Sequence, residues 1–280
     1  MHGMRKIEVL IFRILGVLTI FAILISAFFL LEGGYEVKEA KFLFVGTKED
    51  ADCSILLSRE QCVMVDTGEE QDAEKILSVL KKESIEKIDC LILTHPDKDH
   101  IGGAAQILDE VAVELIVAPY YIQENERYTV LLEKIADMGI HFMTPSRNRQ
   151  LQYGDMEIRI LPPDDISYNN DNNYSLVTLV KHGDVKLLLA GDAERKRLEE
   201  LKKYVFSDVN VYKVPHHGRN STASAEMIER VHPKYAVITA QSVEIKIAEA
   251  IRKVGSEVSL TVPDKDVVFE SDGIKISKKS

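Results

Sequence analysis

His95-Pro96-Asp97-Lys98-Asp99-His100 places four metal-competent side chains at positions i, i+2, i+4 and i+5. They follow Ile88-Asp89-Cys90-Leu91-Ile92-Leu93, an apolar run that reads as a buried strand. On a loop leaving a strand end, four such side chains can converge on one point. A divalent cation with nitrogen and oxygen ligands wants three or four of them at roughly 2.0–2.2 Å, so this density suits a metal centre, and two ions rather than one. The plainer alternative is a polar turn before a helix, with Asp99 as its cap.

Three other groupings stand at predicted strand ends. Val65-Asp66-Thr67-Gly68 ends a strand in a carboxylate before a glycine turn. Asp66 can hold a neighbouring loop or a ligand histidine, or make an ordinary Asx turn. Leu187-Leu188-Leu189-Ala190-Gly191-Asp192 projects a carboxylate beyond a buried strand. Asp192 can bridge two cations, or cap the helix that follows. Val214-Pro215-His216-His217-Gly218 puts two adjacent histidines after a strand; they point different ways, so one of them is expected to be a ligand.

The elements that position these groups are mostly strands. Residues 41–45, 53–57 and 62–66 read as a meander. Residues 70–82 have helical apolar spacing, with Ala73, Ile76, Leu77 and Leu80 on one face. Strands over 88–93 and 113–118 flank a short helix over 102–110, and an amphipathic helix over 125–138 ends at Gly139. Hairpins follow around Gly154-Asp155 and His182-Gly183-Asp184, then a charged, exposed helix over 193–204 and a strand over 209–214. Helices over 222–231 and 243–254 flank a strand over 235–239, and the tail, 257–261, 267–269 and 274–277, is again β. Strands dominate both halves and helices follow in each. That order predicts an α/β fold, a β-sandwich covered by helices in four αβ/βα layers.

Taken in order, the motifs resemble the metallo-β-lactamase superfamily, and most closely the hydrolase domain of ComEC-type competence proteins. The matching segments are Asp66-Thr67-Gly68, His95 to His100, Asn172-Asn173-Tyr174-Ser175, Gly191-Asp192 and Pro215-His216-His217-Gly218. The resemblance implies a four-layer αβ/βα sandwich with two divalent ions, Zn or Mn, at one edge, and hydrolysis by metal-bound hydroxide. Carried over residue by residue, His95 and Asp97 look like ligands of one ion and Asp99 and His100 of the other. Asp192 looks like the bridging carboxylate and His217 the ligand from the histidine pair. His216 would lie near a substrate oxygen, Asp99 would also orient the attacking hydroxide, and Asp66 would stand behind the ligands. The wider superfamily usually has histidine where this chain has Asp97; a carboxylate makes the site harder and favours Mn. Two departures stand out: residues 171–175 contain no histidine, and residues 240–244, Ala-Gln-Ser-Val-Glu, lack the Gly-His-Pro segment of many ComEC-like domains.

The N-terminus decides where this chemistry would occur. Residues 9–31 are apolar apart from Arg13, Gly16, Thr19 and Ser26. Residues 14–31 are uncharged and long enough to cross most of a bilayer as a helix. Arg5, Lys6 and Arg13 precede that stretch and Glu32 and Glu36 follow it, which predicts a cytoplasmic N-terminus. No small-x-small cleavage site follows, so residues 1–34 read as an uncleaved signal anchor, and residues 35–280 as an extracytoplasmic hydrolase domain in the cell membrane. With one membrane segment read, the resemblance does not extend to DNA uptake.

Removing Arg5, Lys6, Arg13, Glu8 and Glu32 from the 35 basic and 45 acidic residues of the chain leaves 32 against 43, a net charge of −11. Such a surface disfavours long nucleic acid and fits a small or short phosphodiester better. Cys53, Cys62 and Cys90 do not form a disulfide framework; the hairpin register sets Cys53 opposite Asp66, not Cys62. They lack the His-Asn partners of a thiol nucleophile. Tyr120, Tyr121 and Tyr128 fit partial burial better than a wall of the site. The sequence therefore points to an anchored metallohydrolase acting on a phosphodiester. A lactonase or β-lactamase-type hydrolase, and a non-catalytic, metal-stabilised domain that binds an envelope partner, are the alternatives.

Overall fold

A computed structural model describes residues 37–262 and 265–279. The expected anchor within residues 1–34 lies outside them. Among the described residues, no helix is long and apolar enough to cross a membrane.

Two sheets pack face to face. The first has eight strands, with β1 Ala40–Phe44, β2 Ser54–Ser58, β3 Gln61–Val65, β4 Lys87–Ile92, β5 Ala112–Val117 and β6 His141–Met143 side by side in that order, and β14 Val267–Ser271 and β15 Ile276–Lys278 beyond β1. The second has seven: β7 Arg149–Tyr153, β8 Met156–Leu161, β9 Val177–His182, β10 Val185–Leu189, β11 Val211–Lys213, β12 Tyr235–Ile238 and β13 Glu257–Leu260. The helices are α1 Ala73–Lys82, α2 Lys98–Ile101, α3 Ala104–Glu110, α4 Glu126–Asp137, α5 Arg195–Leu201, α6 Thr222–Val231 and α7 Ile245–Lys253.

Three apolar layers explain the sandwich. Successive strand residues point to opposite faces, so a strand buried on both sides reads as an unbroken apolar run. In β1, Phe42 and Phe44 meet Ile158, Val180 and Leu187 of the other sheet, while Leu43 faces the helices. Ile76 and Leu80 of α1, Ile107 of α3 and Leu131 of α4 cover the first sheet. Leu198 of α5, Ile228 of α6 and Ile251 of α7 cover the second. The result is helix, sheet, sheet, helix, as the order of elements implied.

The parallel run β3–β4–β5 and the parallel run β10–β11–β12 both deliver their C-terminal ends to one edge of the sandwich. The antiparallel pairing of Ser54 with Val65 brings the residues before β2 to that same edge. Two close approaches fix the His95–Gly103 loop there. The Thr67 N–H donates to the His100 carbonyl at 2.7 Å. A Cβ on Gly103 would lie 2.4 Å from the Thr67 carbonyl oxygen, so only glycine lets the two loops touch.

Three details differ from the sequence reading. The helix expected over 193–204 is shorter, and its Arg197 is fully buried rather than exposed. The Arg197 guanidinium donates to the carbonyls of Ser175, just before β9, and Leu161, at the end of β8, and pairs with Glu200, which satisfies two buried carbonyls. Strand β6 is an edge strand with little burial, so it carries no apolar alternation to read. The three cysteines are buried and unpaired, as expected; burial pushes the Cys62 and Cys90 thiols up to about 12.

Candidate metal centre

Four side chains meet at the shared edge. Ligand-capable atoms of Asp99, His100, Asp192 and His217 all lie within 4.8 Å of one another. His217 Nε2 is 3.1 Å from Asp99 Oδ2 and 3.2 Å from Asp192 Oδ2. His100 Nε2 is 3.2 Å from Asp192 Oδ1 and 3.7 Å from Asp99 Oδ2. His95 stands beside them, its ring centroid 4.1 Å from that of His100, and its Nε2 is 3.5 Å from Asp97 Oδ2. All six expected ligands therefore occupy one edge, four in a tight cluster and His95 with Asp97 flanking it.

Each imidazole is held by its other nitrogen. His100 Nδ1 donates to Asp66 Oδ2 at 2.8 Å. Thr94 donates to the same carboxylate from both its N–H and its hydroxyl, each at 2.7 Å. That hydroxyl accepts from His95 Nδ1 at 3.1 Å. His217 Nδ1 donates to the Thr239 carbonyl at 3.2 Å. Fixing Nδ1 in this way selects the tautomer and aims Nε2 into the centre, the arrangement usual for metal-binding histidines. The cap reading of Asp99 fails, since α2 has no side-chain cap; Glu194, not Asp192, occupies the N-cap position of α5.

Burial tests whether a cation fits. His95 Nε2, His100 Nε2 and Asp192 Oδ1 are buried and lack a hydrogen-bond partner. His100 Nε2 and Asp192 Oδ1 approach each other without hydrogen-bond geometry. Buried polar atoms are rarely left so, because each orphan costs on the order of 1–3 kcal/mol. Three orphans among six expected ligands is the pattern a metal centre needs, so the residues present fit divalent ions.

Charge agrees with that fit. Burial works to raise the Asp192 carboxyl, but His217, His100 and Lys213 overcome it and hold it well below the usual carboxylate range. Asp99 is also lowered, against its burial, by His217 and His100. Burial disfavours the charged imidazoles, yet the surrounding carboxylates outweigh it and push His100 and His217 well above 6.5. The raised imidazoles favour their protonated forms in the metal-free protein, so a cation binding at them would release protons. His216 behaves differently: burial pushes its imidazole down despite Asp192 and Glu194, and its Nδ1 faces Glu194 at 3.2 Å. The two histidines diverge as expected, with His217 buried in the cluster and His216 at the pocket mouth. Both adopt left-handed backbone, φ 52° and 49°, as does Asp66 at 60°. Such conformations are uncommon outside glycine and persist where surrounding structure fixes them.

Two residues behind the cluster escaped the sequence reading. Lys213 is fully buried; it pairs with Asp52, donates to the Gly191 carbonyl at 3.1 Å and lies 3.6 Å from Asp192 Oδ1. Asp52 also accepts from the Thr239 hydroxyl and lies 3.4 Å from His217 Nδ1. A lysine inside Val209-Asn210-Val211-Tyr212-Lys213-Val214 was a visible signal, since it shares a face with Val211, a core residue. Asp52 has no local pattern; only the β2–β3 register brings it here. Of the tyrosines, Tyr128 is buried, Tyr120 is exposed, and Tyr121 donates to Asp171.

Known proteins resemble this chain in sequence and in fold. The family described as the metallo-beta-lactamase superfamily matches residues 46–241. ComE operon protein 3 of Bacillus subtilis is 32% identical over 170 residues, 60% of this chain and 22% of its own length. Recombination protein 2 of Haemophilus influenzae is 31% identical over 168 residues, 59% of this chain and 19% of its own. The matched stretch is thus about a fifth of each relative. Among solved structures, the metallo-beta-lactamase fold protein YhfI from Bacillus subtilis superposes with a TM-score of 0.57 at 10% identity, covering 84% of this chain and all of that one. With the family matched across both halves of the sandwich and the relatives drawn from ComEC-type competence proteins, the chain belongs to the metallo-β-lactamase superfamily, most of whose members are hydrolases and which typically depends on two metal ions.

Proposed function

We propose that this protein is a membrane-anchored, exported hydrolase that cleaves small or short phosphodiesters with two divalent cations, Zn or Mn. The observation that carries the reading is the union of the orphaned ligand atoms with the pocket above them. That pocket, about 530 Å³, has no apolar residue in its lining; Glu49, Asp50, Lys98, Asn172, Arg219 and Gln241 surround the exposed parts of Asp97, Asp99 and Asp192. Small-molecule sites are usually mostly apolar, so a wholly polar one selects a polar, charged substrate. A β-lactam or an acyl lactone would want an apolar wall, and this pocket gives it none.

His95 and Asp97 would hold one ion, Asp99, His100 and His217 the other, with Asp192 between them. Divalent ions held by these residues would supply a lowered pKa for water and stabilisation of negative charge on a phosphoryl group. Asp99 reaches the pocket, where its carboxylate orients the attacking water. His216 is held neutral at pH 7 by burial and offers a hydrogen bond to a substrate oxygen without adding charge. In the reaction a water oxygen bonds to phosphorus, the bond to one alcohol oxygen breaks, and the proton that water loses goes to that alcohol. Asp66, Thr94, Thr239 and Asp52 keep the histidines aimed throughout.

Turnover tests this reading. The purified full chain, loaded with Zn or Mn, should hydrolyse bis(p-nitrophenyl) phosphate and lose that activity with chelator. Faster cleavage of a lactone or β-lactam would replace the substrate class. Bound metal with no ester turned over would make the protein a binding module. The anchor has its own test: protease added to spheroplasts should digest residues 35–280, and protection until lysis would overturn the exported topology.

A further inference from the structure

The metal pocket continues into a second cleft. His216 and Arg219 line both, and the cleft, about 520 Å³, is completed by Arg195, Lys246, Ser221 and Thr222. We propose that this cleft is an anion subsite that takes a second phosphate of the substrate, on one side only of the scissile phosphodiester. The inference rests on the phosphodiesterase reading and names the form of substrate that reading leaves open.

Charge carries the argument. Arg195, Arg219 and Lys246 line the cleft, and among the described residues none of their side chains has an ion pair or a hydrogen bond. The two carboxylates on the same cleft are already engaged. Glu194 accepts from Asn170 at 2.9 Å and from Asn172 at 3.0 Å and faces His216; Glu244 accepts from the Asn220 N–H at 3.0 Å. Three cations against two carboxylates leave the cleft with a net positive charge in a domain whose sequence carries net −11. Guanidinium groups suit phosphate oxygens, which they can grip through two parallel hydrogen bonds.

The cleft is built by fixed elements. Arg195 opens α5, Arg219 follows the histidine pair, and Lys246 lies in the first turn of α7. Asn220 ties two of these segments together, its N–H to Glu244 and its Oδ1 to the Lys246 N–H at 3.0 Å. Ser221 caps the ten-residue helix α6, whose positive end faces the same space.

The part of the metal pocket's lining that the second cleft does not share has the other sign. Glu49, Asp50 and Glu69 line it, and its Lys98 is paired with Glu69 at 2.7 Å. A chain of phosphates running through the centre in both directions would meet that acidic wall. A substrate with its extra phosphate on the Arg219 side meets none of it. The site therefore fits a phosphodiester at the end of a short chain, with the neighbouring phosphate supplied by a terminal group or by the next internucleotide linkage.

The test uses the metal-loaded full chain and four substrates: dApdA, the same dinucleotide with a 5′-phosphate, with a 3′-phosphate, and the trinucleotide dApdApdA. One of the two phosphorylated dinucleotides, not both, should exceed dApdA in kcat/KM by about tenfold or more, the scale of one charge-assisted contact. The trinucleotide should match that better substrate if an internal linkage serves, and match dApdA if only a terminal group does. The double variant R195A/K246A should abolish the preference, and R195K/K246R should retain it. Equal kcat/KM for all three dinucleotides, or a preference that survives R195A/K246A, would overturn the subsite while leaving the hydrolase standing. Should no phosphodiester be turned over, the hydrolase reading fails and the cleft is judged by binding. Calorimetry with inorganic phosphate and metal-free protein should then show binding that R195A/K246A removes, and no binding to the unaltered chain would overturn the subsite as well.

Discussion

Replacing Lys213 by Met probes the electrostatics of the centre without touching an expected ligand. The Lys213 ammonium is a buried cation that pairs with Asp52 and lies 3.6 Å from Asp192 Oδ1. Asp52 and Asp192 in turn hold the ammonium charged against its burial. Removing one partner of a buried pair leaves the other charge uncompensated and costs about 3–5 kcal/mol. For a domain of this size that is a fall in Tm of roughly 6–20 °C. The cost should depend on metal. In chelator, Asp52 and Asp192 face each other with no lysine between them. With cations bound, the Asp192 charge is neutralised from the other side and only the Asp52 pair is lost. Urea denaturation of Lys213→Met and the unaltered protein, in chelator and in saturating Mn, should show the larger loss in chelator. By the thermodynamic cycle, the difference reappears as tighter metal binding by the variant. A loss under about 1 kcal/mol in chelator would refute the buried ion pair, and equal losses in both conditions would refute the link between Lys213 and the metal centre.

Three other outcomes follow from the geometry. Asp192→Ala should lose more bound metal than His216→Ala, because Asp192 faces both His100 and His217 while His216 turns to Glu194; metal loss in His216→Ala but not in His217→Ala would reverse the assignment within the pair. In chelator, the stability due to His100 and His217 is fully present below pH 6.5 and is lost as pH rises through their raised values. That due to Asp99 and Asp192 is lost as pH falls through their lowered ones, and the depressed His182 and His216 also favour the alkaline side. The urea midpoint of metal-free protein should therefore fall from pH 6.5 upward, and a steady rise would contradict the raised imidazoles. Gly191→Ala should cost about 1–3 kcal/mol and release metal, since its φ is +53° and a Cβ would lie 2.9 Å from Thr94 Cβ, displacing Asp192; unchanged stability and metal content would show that the turn adapts.

The candidate ligands were legible because local spacing brings their donors together. His95 to His100 leave one strand within six residues, and Gly191-Asp192 and His217 end strands that hydrophobic runs mark clearly. The four layers were legible for the same reason, since runs such as Leu187-Leu188-Leu189 require cover on both faces. What escaped depends on contacts distant in sequence. Asp52 reaches Lys213 across 161 positions and Thr239 across 187, which no local pattern encodes. Arg197 looked like part of a solvated helix, yet Leu161 and Ser175 supply carbonyls that bury it. The basic cleft was hidden by the net charge of the whole domain, because Arg195, Arg219 and Lys246 come from three separate segments.

Anomalous diffraction from crystals of the full chain soaked in Mn tests the central claim most directly. Two peaks are expected at the shared sheet edge, one touching Asp99, His100 and His217, the other His95 and Asp97, with Asp192 reaching both. No peak there, or a peak only at a site remote from these six residues, would contradict it.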